Sequence, residues 1–188
     1  MAKAASTLKN LFFTLLTVSI ISAVILGYIY EMTKEPIELA KSDKKKNAIK
    51  MVVPQFDNDP VKEMYYLGDE SLEAYPAKMN NELVGTAVKT VSKKGFSGEV
   101  WLMVGFYPDG TIIDVSVLEH KETPGLGTKM EDDDFIEQYR NKNPETFNLK
   151  VKQDGGEIDG ITAATISTRA FSDAIDIAHK ALMKGGKQ

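Results

Sequence analysis

The chain has 188 residues, which allows one domain with appended segments at a usual size of about 100–200 residues per domain. Its net charge is −4 with both signs interspersed, so it lacks the basic surface that nucleic acid binding requires, and no nucleic acid partner is expected. The absence of cysteine excludes disulfides, thiolate metal ligands and cysteine nucleophiles, and with only two histidines we predict no metal site.

The strongest feature near the N-terminus is an apolar run. Residues 10–30 carry no charge and follow a short polar segment, residues 1–9. At about 1.5 Å per residue, this run is long enough to cross a hydrocarbon core about 30 Å thick. A cleaved signal peptide is the alternative, but its apolar core should be about 7–15 residues long and end at a small-residue cleavage site. Tyr28-Ile-Tyr-Glu-Met follows here instead, so we predict a single uncleaved transmembrane helix.

Lysine counts do not settle which side of the membrane the rest of the chain occupies. Lys3 and Lys9 precede the span, and a larger group follows it: Lys34, Lys41, Lys44, Lys45 and Lys46. By the positive-inside rule, this distribution leans against export of the C-terminal part.

Residues 31–70 are predicted to be a membrane-proximal linker. Apolar positions within residues 31–53 suit one or two short amphipathic helices, with Pro36 at the start and Pro54 at the end. The segment before residue 71 has no clear period, and a domain is predicted to occupy residues 71–188.

Four strands are predicted in this domain, over residues 72–78, 82–91, 99–107 and 111–119. Pro at the second position and Gly at the fourth make Tyr107–Gly110 a type I turn, and short turns join antiparallel neighbours. The third strand is apolar at both alternating sets of positions, so we expect both faces of the sheet to be covered.

Two helices are predicted after the strands. The first begins at Thr128, whose spacing to Glu131 fits a capping box, and buries Phe135, Ile136 and Tyr139. The second begins between Thr162 and Thr165 and ends at a glycine pair, with apolar residues at helical spacing: Ile166, Ala170, Ala174, Ile177 and Ala181. The predicted fold class is α+β, an antiparallel twisted sheet packed with helices and preceded by a single transmembrane helix.

Four hydroxyls lie at the start of the last helix: Thr162, Thr165, Ser167 and Thr168. One interpretation is structural, with one threonine as the N-cap and the other hydroxyls, like Ser172 and His179 further along, facing solvent. The other is functional, because a helix N-terminus binds phosphate, Arg169 could pair with its charge, and Asp159 could orient a hydroxyl. The residues alone favour the structural interpretation.

The segment Asp159–Thr165 nevertheless resembles the flavinylation motif of the FMN-binding domain family, Asp-x-x-Ser/Thr-Gly-Ala-Thr/Ser. The resemblance implies FMN joined to Thr165 by a phosphoester, transferred from FAD by a separate flavin transferase that uses Mg²⁺ and needs Asp159. It makes Thr162 a cap and phosphate contact, and adds Ala163, Ala164 and Ser167 to the cofactor-binding set. One departure is Ala163, where the family has glycine.

A second segment, residues 119–130, contains Glu-Thr-Pro-Gly-Leu-Gly over residues 122–127. By itself it is a strand-to-helix connection with two flexible glycines. It also resembles the loop that lies against the flavin in the same family. The implied cofactor-binding residues are Glu122, Thr123, Pro124, Gly125, Leu126, Gly127 and Lys129, with Thr123 and the Gly125 and Gly127 amides donating to ring oxygens and Leu126 covering the ring.

An N-terminal span before such a domain resembles the G subunit of the Rnf electron-transport complex. This implies an electron carrier, inactive as an enzyme alone, whose partners are the other membrane subunits of a complex that couples ferredoxin and NAD to Na⁺ or H⁺ translocation. It also implies a single-pass protein of the cytoplasmic membrane with its C-terminal domain on the outer face. The alternatives are the C subunit of the sodium-translocating NADH:quinone reductase, a stand-alone extracellular reductase, and a non-redox anchored interaction domain.

Overall fold

The computed structural model describes residues 8–68 and 72–185. The chain divides into two compact units, Met1–Asp43 and Lys44–Gln188. The second unit therefore starts before residue 71, the boundary expected from the sequence.

One helix, α1, runs without interruption from Leu8 to Val52. Among the described residues it is the one helix long and apolar enough to cross a membrane, judged by length and composition, which fits a single-pass membrane protein. The prediction that a separate helix begins at Pro36 is wrong, because Pro36 lies inside α1. Proline in a helix costs about 3 kcal/mol, and the helix-forming Glu, Leu, Ala and Lys residues on both sides offset that cost.

The second unit contains a five-stranded antiparallel sheet in sequential order. Its strands are β1 Tyr65–Leu67, β2 Leu72–Met79, β3 Glu82–Ser92, β4 Val100–Phe106 and β5 Ile112–Glu119. All four predicted strands are confirmed. Sequence reasoning missed β1, because three residues are too few to show alternation.

Two tight turns set the registers of the central strands. Asn80 and Asn81 join β2 to β3 with φ of 52° and 69°, the left-handed pair of a type I′ turn. The β4–β5 turn is confirmed, since the Gly110 N–H donates to the Tyr107 carbonyl oxygen at 2.9 Å. Both turns leave sequence neighbours paired in the sheet.

Both faces of the sheet are covered, as predicted. On one face, the strand residues pack under helix α3, Thr165–Gly185, with Leu102, Phe106 and Phe171 fully buried. On the other face, Met103 packs against Ile49 and Val52, from the last turns of α1. The chain approaches the sheet so closely there that a Cβ on Gly105 would lie 1.6 Å from the Val52 carbonyl oxygen.

The first predicted helix is instead a 3₁₀ turn, Gly127–Glu131, followed by the short helix α2, Asp133–Ile136. The predicted capping box is wrong, because Leu126 takes the N-cap position and the Thr128 hydroxyl accepts the Gly125 N–H at 2.9 Å. The predicted burial of Phe135, Ile136 and Tyr139 is confirmed.

Helix α3 confirms the predicted second helix but not its polar positions. Ala170 and Ala174 are fully buried as expected, whereas Ile166 is 44% exposed because the first turn faces a cleft rather than the sheet. Ser167, Thr168 and Ser172 are buried, so the expectation that they face solvent is wrong. His179 is also buried, 5% exposed, against Phe106 at 5.8 Å between ring centroids, and not solvent-facing as expected.

Candidate functional site

A cleft of about 360 Å³ lies where three segments meet. These are the connection between β3 and β4, the loop that follows β5, and the first turn of α3 with the residues before it. The lining residues are Phe96, Glu122, Thr123, Leu126, Gly127, Ala163, Ala164, Thr165, Ile166 and Ser167. The volume falls within the range of about 300–1,000 Å³ that is common for small-molecule sites.

The fold brings most of the predicted site residues to this cleft. They come from two motifs separated by about 40 residues, and they are Glu122, Thr123, Leu126, Gly127, Ala163, Ala164, Thr165 and Ser167. The remaining predicted residues are exposed and lie outside the lining: Pro124, Gly125, Lys129, Asp159 and Thr162. The roles assigned to both groups stay predictions.

The four hydroxyls at the start of α3 differ in their surroundings. The Ser167 hydroxyl donates to Glu122 Oε2 at 2.7 Å. Thr168 Oγ1 is fully buried, donating to the Ala164 carbonyl oxygen at 3.2 Å and accepting the Ile161 N–H at 3.0 Å. Thr162 is exposed but does not line the cleft, whereas Thr165 lines it and is partly exposed. Ser167 also lines the cleft, but its hydroxyl is bonded to Glu122, which leaves Thr165 as the partly exposed hydroxyl residue of the lining.

Ala163 explains why the family motif has glycine at this position. Its φ is +62°, in the left-handed region that residues with a Cβ disfavour by roughly 1–2 kcal/mol. The residue is exposed, so its methyl group is not crowded. The departure from glycine therefore costs backbone strain and leaves the turn intact.

Glu122 is a buried carboxylate at the cleft, with 5% of its surface exposed. Its Oε1 accepts the Ser97 N–H at 3.1 Å, and its Oε2 accepts the Ser167 hydroxyl at 2.7 Å. Both carboxylate oxygens are thus bonded to protein, one on each neighbouring segment. Glu122 also lines the cleft, and its predicted contact with the cofactor stays a prediction.

Internal hydrogen bonds hold the loop after β5 in a compact form. The Leu126 and Thr128 N–H groups donate to the Thr123 carbonyl oxygen at 3.2 and 3.4 Å. The Gly125 N–H donates to the Thr128 hydroxyl oxygen, and its predicted bond to the flavin ring stays a prediction. Gly127 must lack a side chain, since a Cβ there would lie 2.6 Å from Glu122 Cβ.

His120 fixes the start of the same loop. Its Nδ1 accepts the Glu122 N–H at 3.1 Å, and its Nε2 lies 3.0 Å from Glu131 Oε1. Since Nδ1 acts as an acceptor, the neutral ring carries its proton on Nε2 and donates it to Glu131. The His120 side chain therefore helps to hold the start of the loop in place.

Two charged residues of the motif region point elsewhere. Asp159 forms an exposed ion pair with Lys152 at 2.7 Å, and its N–H donates to Gln138 Oε1. Arg169, which could have paired with a phosphate, binds both carboxylate oxygens of Asp154 at 2.7 and 2.8 Å. These hydrogen bonds raise the pKa of Arg169 and lower the pKa of Asp154. Among the described residues, no cluster of acidic side chains and histidines could hold a metal.

Sequence reasoning missed two apolar residues of the cleft. Phe96 is 67% exposed in the connection between β3 and β4, and Ile166 was assigned to the core. The available signal was an aromatic residue in the Gly-Phe-Ser-Gly segment between two predicted strands, where packing gives no reason for one.

A larger groove, of about 760 Å³, lies along residues 144–151 and the outer side of α3. None of the predicted site residues lines it. Six of its eight charged side chains form ion pairs with one another: Lys94 with Asp173, Lys180 with Asp176 and Arg169 with Asp154. The other two, Glu145 and Lys150, carry opposite charges. The groove therefore offers no preferred charge to a ligand.

Comparison with known proteins identifies a family and a fold that this chain resembles. Residues 95–180, which include both motifs, match the model of the FMN-binding domain family. The fold is similar to that of the C subunit of the Na(+)-translocating NADH-quinone reductase from Parabacteroides distasonis, with a TM-score of 0.52 and 18% identity over 78% of this chain and 82% of that one.

Relatives that match most of the chain identify its family more closely. The G subunit of the ion-translocating oxidoreductase complex from Pasteurella multocida is 37% identical over 78% of this chain and 79% of its own length. The Haemophilus influenzae (strain PittEE) protein of the same name is 32% identical over 81% and 79%. The chain belongs to the family of these G subunits.

Proposed function

We propose that the chain is an electron-carrying flavoprotein subunit of a membrane-bound Rnf-type oxidoreductase complex, with FMN esterified to Thr165. The observation that carries the proposal is the convergence of Thr165 and the Glu122–Gly127 loop on one cleft. Membership of the G-subunit family supports the assignment to an ion-translocating complex.

The residues present fit a flavin nucleotide. Thr165 offers a reachable hydroxyl for the phosphoester, and its position in the first turn of α3 places the phosphate where a helix N-terminus stabilises negative charge. Phe96, Leu126 and Ile166 surround the cleft with exposed apolar surface suited to a planar ring. When bound, FMN supplies the electron transfer, and the protein supplies position and environment.

We further propose that residues 10–30 anchor the protein in the cytoplasmic membrane, that the chain after residue 30 leads into the compact unit that begins at Lys44, and that this unit works on the outer face. An ester-bound cofactor cannot dissociate from an exported domain, which favours a covalent link there. The partners are the other membrane subunits, which couple electron transfer to Na⁺ or H⁺ movement, and a flavin transferase that reads Asp159 during maturation.

Substitution of Thr165 by valine tests the attachment site. Valine keeps the shape of threonine and removes its hydroxyl, so we expect complete loss of the label. The measurement is co-expression with a flavin transferase, followed by in-gel fluorescence of the denatured band and intact mass. Thr146→Val is the matched control and should retain the FMN mass increment, since Thr146 is an exposed threonine outside both motifs and outside the cleft lining.

Two outcomes would count against the proposal. A fluorescent Thr165→Val band would move the ester to another hydroxyl. A wild-type band with neither fluorescence nor the mass increment would favour a non-redox anchored module.

A further inference from the structure

We propose that Glu122 is a positioning residue that fixes the relative placement of the three segments forming the flavin cleft. The bonds from Glu122 to Ser97 and Ser167 are called the Glu122 tie below. The inference rests on the proposed flavin attachment at Thr165 and deepens it. In this role the carboxylate acts through its two serine partners.

The tie joins segments that are far apart in the sequence. Oε1 accepts the Ser97 N–H at 3.1 Å in the connection between β3 and β4, and Oε2 accepts the Ser167 hydroxyl at 2.7 Å in the first turn of α3. Ser167 is two residues after Thr165, so the bond fixes the turn that carries the acceptor against the loop that would face the ring. The His120 ring accepts a hydrogen bond from the Glu122 backbone N–H, which helps to hold Glu122 in place.

Two glycines are shaped around this carboxylate. A Cβ on Gly127 would lie 2.6 Å from Glu122 Cβ and 2.9 Å from the Ser167 hydroxyl oxygen. A Cβ on Gly95 would lie 2.7 Å from Glu122 Oε1. Real Cβ atoms do not approach other atoms so closely, so two of the three segments have glycine at a position where a side chain would crowd Glu122.

Burial makes the tie strong and its loss costly. Hydrogen bonds to an ionised carboxylate are roughly twice as strong as neutral ones, and a buried group that loses its partners keeps the full desolvation cost. In Glu122→Gln, the amide oxygen can still accept the Ser97 N–H, so that bond is kept. The amide NH₂ group faces the Ser167 hydroxyl as a donor, so the bond to Ser167 is changed. Alanine removes both bonds.

The test compares the rate of FMN incorporation, measured by intact mass, in the full chain in detergent with transferase and FAD. Misplacement of reacting groups by about 1 Å costs up to about a hundredfold in rate, so we expect Glu122→Ala to be slowed by about tenfold to a hundredfold. Glu122→Gln and Ser167→Ala should lie between alanine and wild type. Glu99→Gln is the matched control, an exposed carboxylate bonded to Trp101, and should match wild type.

A second measurement follows the tie without flavin. Hydrogen exchange of the unmodified proteins should increase at residues 95–97 and 123–127 in Glu122→Ala, while the central strands stay protected. In loaded protein, the visible circular dichroism of the flavin should change in Glu122→Gln, because the ring environment moves. If Glu122→Ala fails to fold, Ser167→Ala and Glu122→Gln carry both measurements.

Wild-type labelling rates and unchanged exchange in Glu122→Gln and Ser167→Ala would overturn the role of Glu122. Failure of the wild type to take up FMN would instead overturn the proposed function. The exchange measurement distinguishes the two, since it reports on the three segments in the absence of any cofactor.

Discussion

At the scale of single residues, hydrogen bonds separate hydroxyls that look equivalent in the sequence. Ser167 and Thr168 are buried and bonded, and Thr165 lines the cleft. A sequence pattern reports the spacing of polar groups along a helix but not their partners. The partner of Ser167 is a carboxylate 45 positions earlier in the chain. The structure therefore distinguishes Thr165, the partly exposed hydroxyl residue of the cleft lining, in a way that the motif resemblance does not.

Ala163→Gly should stabilise the fold by up to about 1 kcal/mol. Glycine relieves the left-handed strain at φ +62°, and its greater freedom in the unfolded chain takes back part of the gain. The measurement is the free energy of unfolding in denaturant. Ala164→Gly is the matched control and should lose about 0.5–1 kcal/mol, because Ala164 is buried at the helix entry. Destabilisation of both variants alike would contradict the strain at Ala163.

Replacement of His179 by leucine should flatten the dependence of stability on pH. Burial lowers the pKa of His179, although Glu145 and Asp176 act in the opposite direction, and its Nε2 has no hydrogen-bond partner among the described residues. The unfolded chain therefore binds a proton below its pKa of about 6.5 that the folded chain resists, so stability contributed by the neutral ring is lost as pH falls below that value.

The measurement for His179→Leu is the free energy of unfolding at pH 7.5 and pH 5.5. Over each pH unit in this window, the wild type should lose at most about 1.4 kcal/mol more than the variant. Parallel losses in the two proteins would show that His179 takes up its proton equally well in the folded state.

At the scale of elements, the end of α1 packs tightly against the centre of β4 at Gly105. Gly105→Ala should destabilise the fold by about 3 kcal/mol or more, because its Cβ would lie 1.6 Å from the Val52 carbonyl oxygen. Gly160→Ala is the control, as nothing lies within 4 Å of a Cβ there and its φ is not positive. The measurement is again denaturant unfolding, and equal stability of the two variants would contradict the packing.

The elements also show how much of the secondary structure the local sequence pattern predicts. Strands β2 to β5 were predictable because turn residues separate apolar runs, and α3 because its alanines recur at helical spacing. The predicted helix start at Thr128 is wrong, because the Thr128 hydroxyl accepts a hydrogen bond from the loop before it and does not cap the turn after it. The first turn of α3 was misassigned at Ile166, since helical periodicity does not show where a helix extends past the sheet it covers.

At the scale of the whole molecule, the fold class and both motif loops could be predicted, whereas the tie between them could not. Glu122, Ser97 and Ser167 belong to three segments that no local rule connects. The same holds for the end of α1, where Ile49 and Val52 belong to the core of the second unit although the sequence reads as a linker. Both the Glu122 tie and the burial of Ile49 and Val52 depend on contacts between residues far apart in the sequence. Such contacts exist only once the chain has packed.

The position of α3 as the last described element has a consequence for biosynthesis. Its first turn forms one wall of the cleft, and the rest of the helix is held to the sheet by residues as late as Leu182. The two other walls are made from segments that leave the ribosome dozens of residues earlier. An enzyme that recognises the assembled cleft would thus meet no substrate on a chain that still lacks α3. Under the proposed function, cofactor addition would wait until α3 has packed on the sheet, so the flavin would be added only to folded chains.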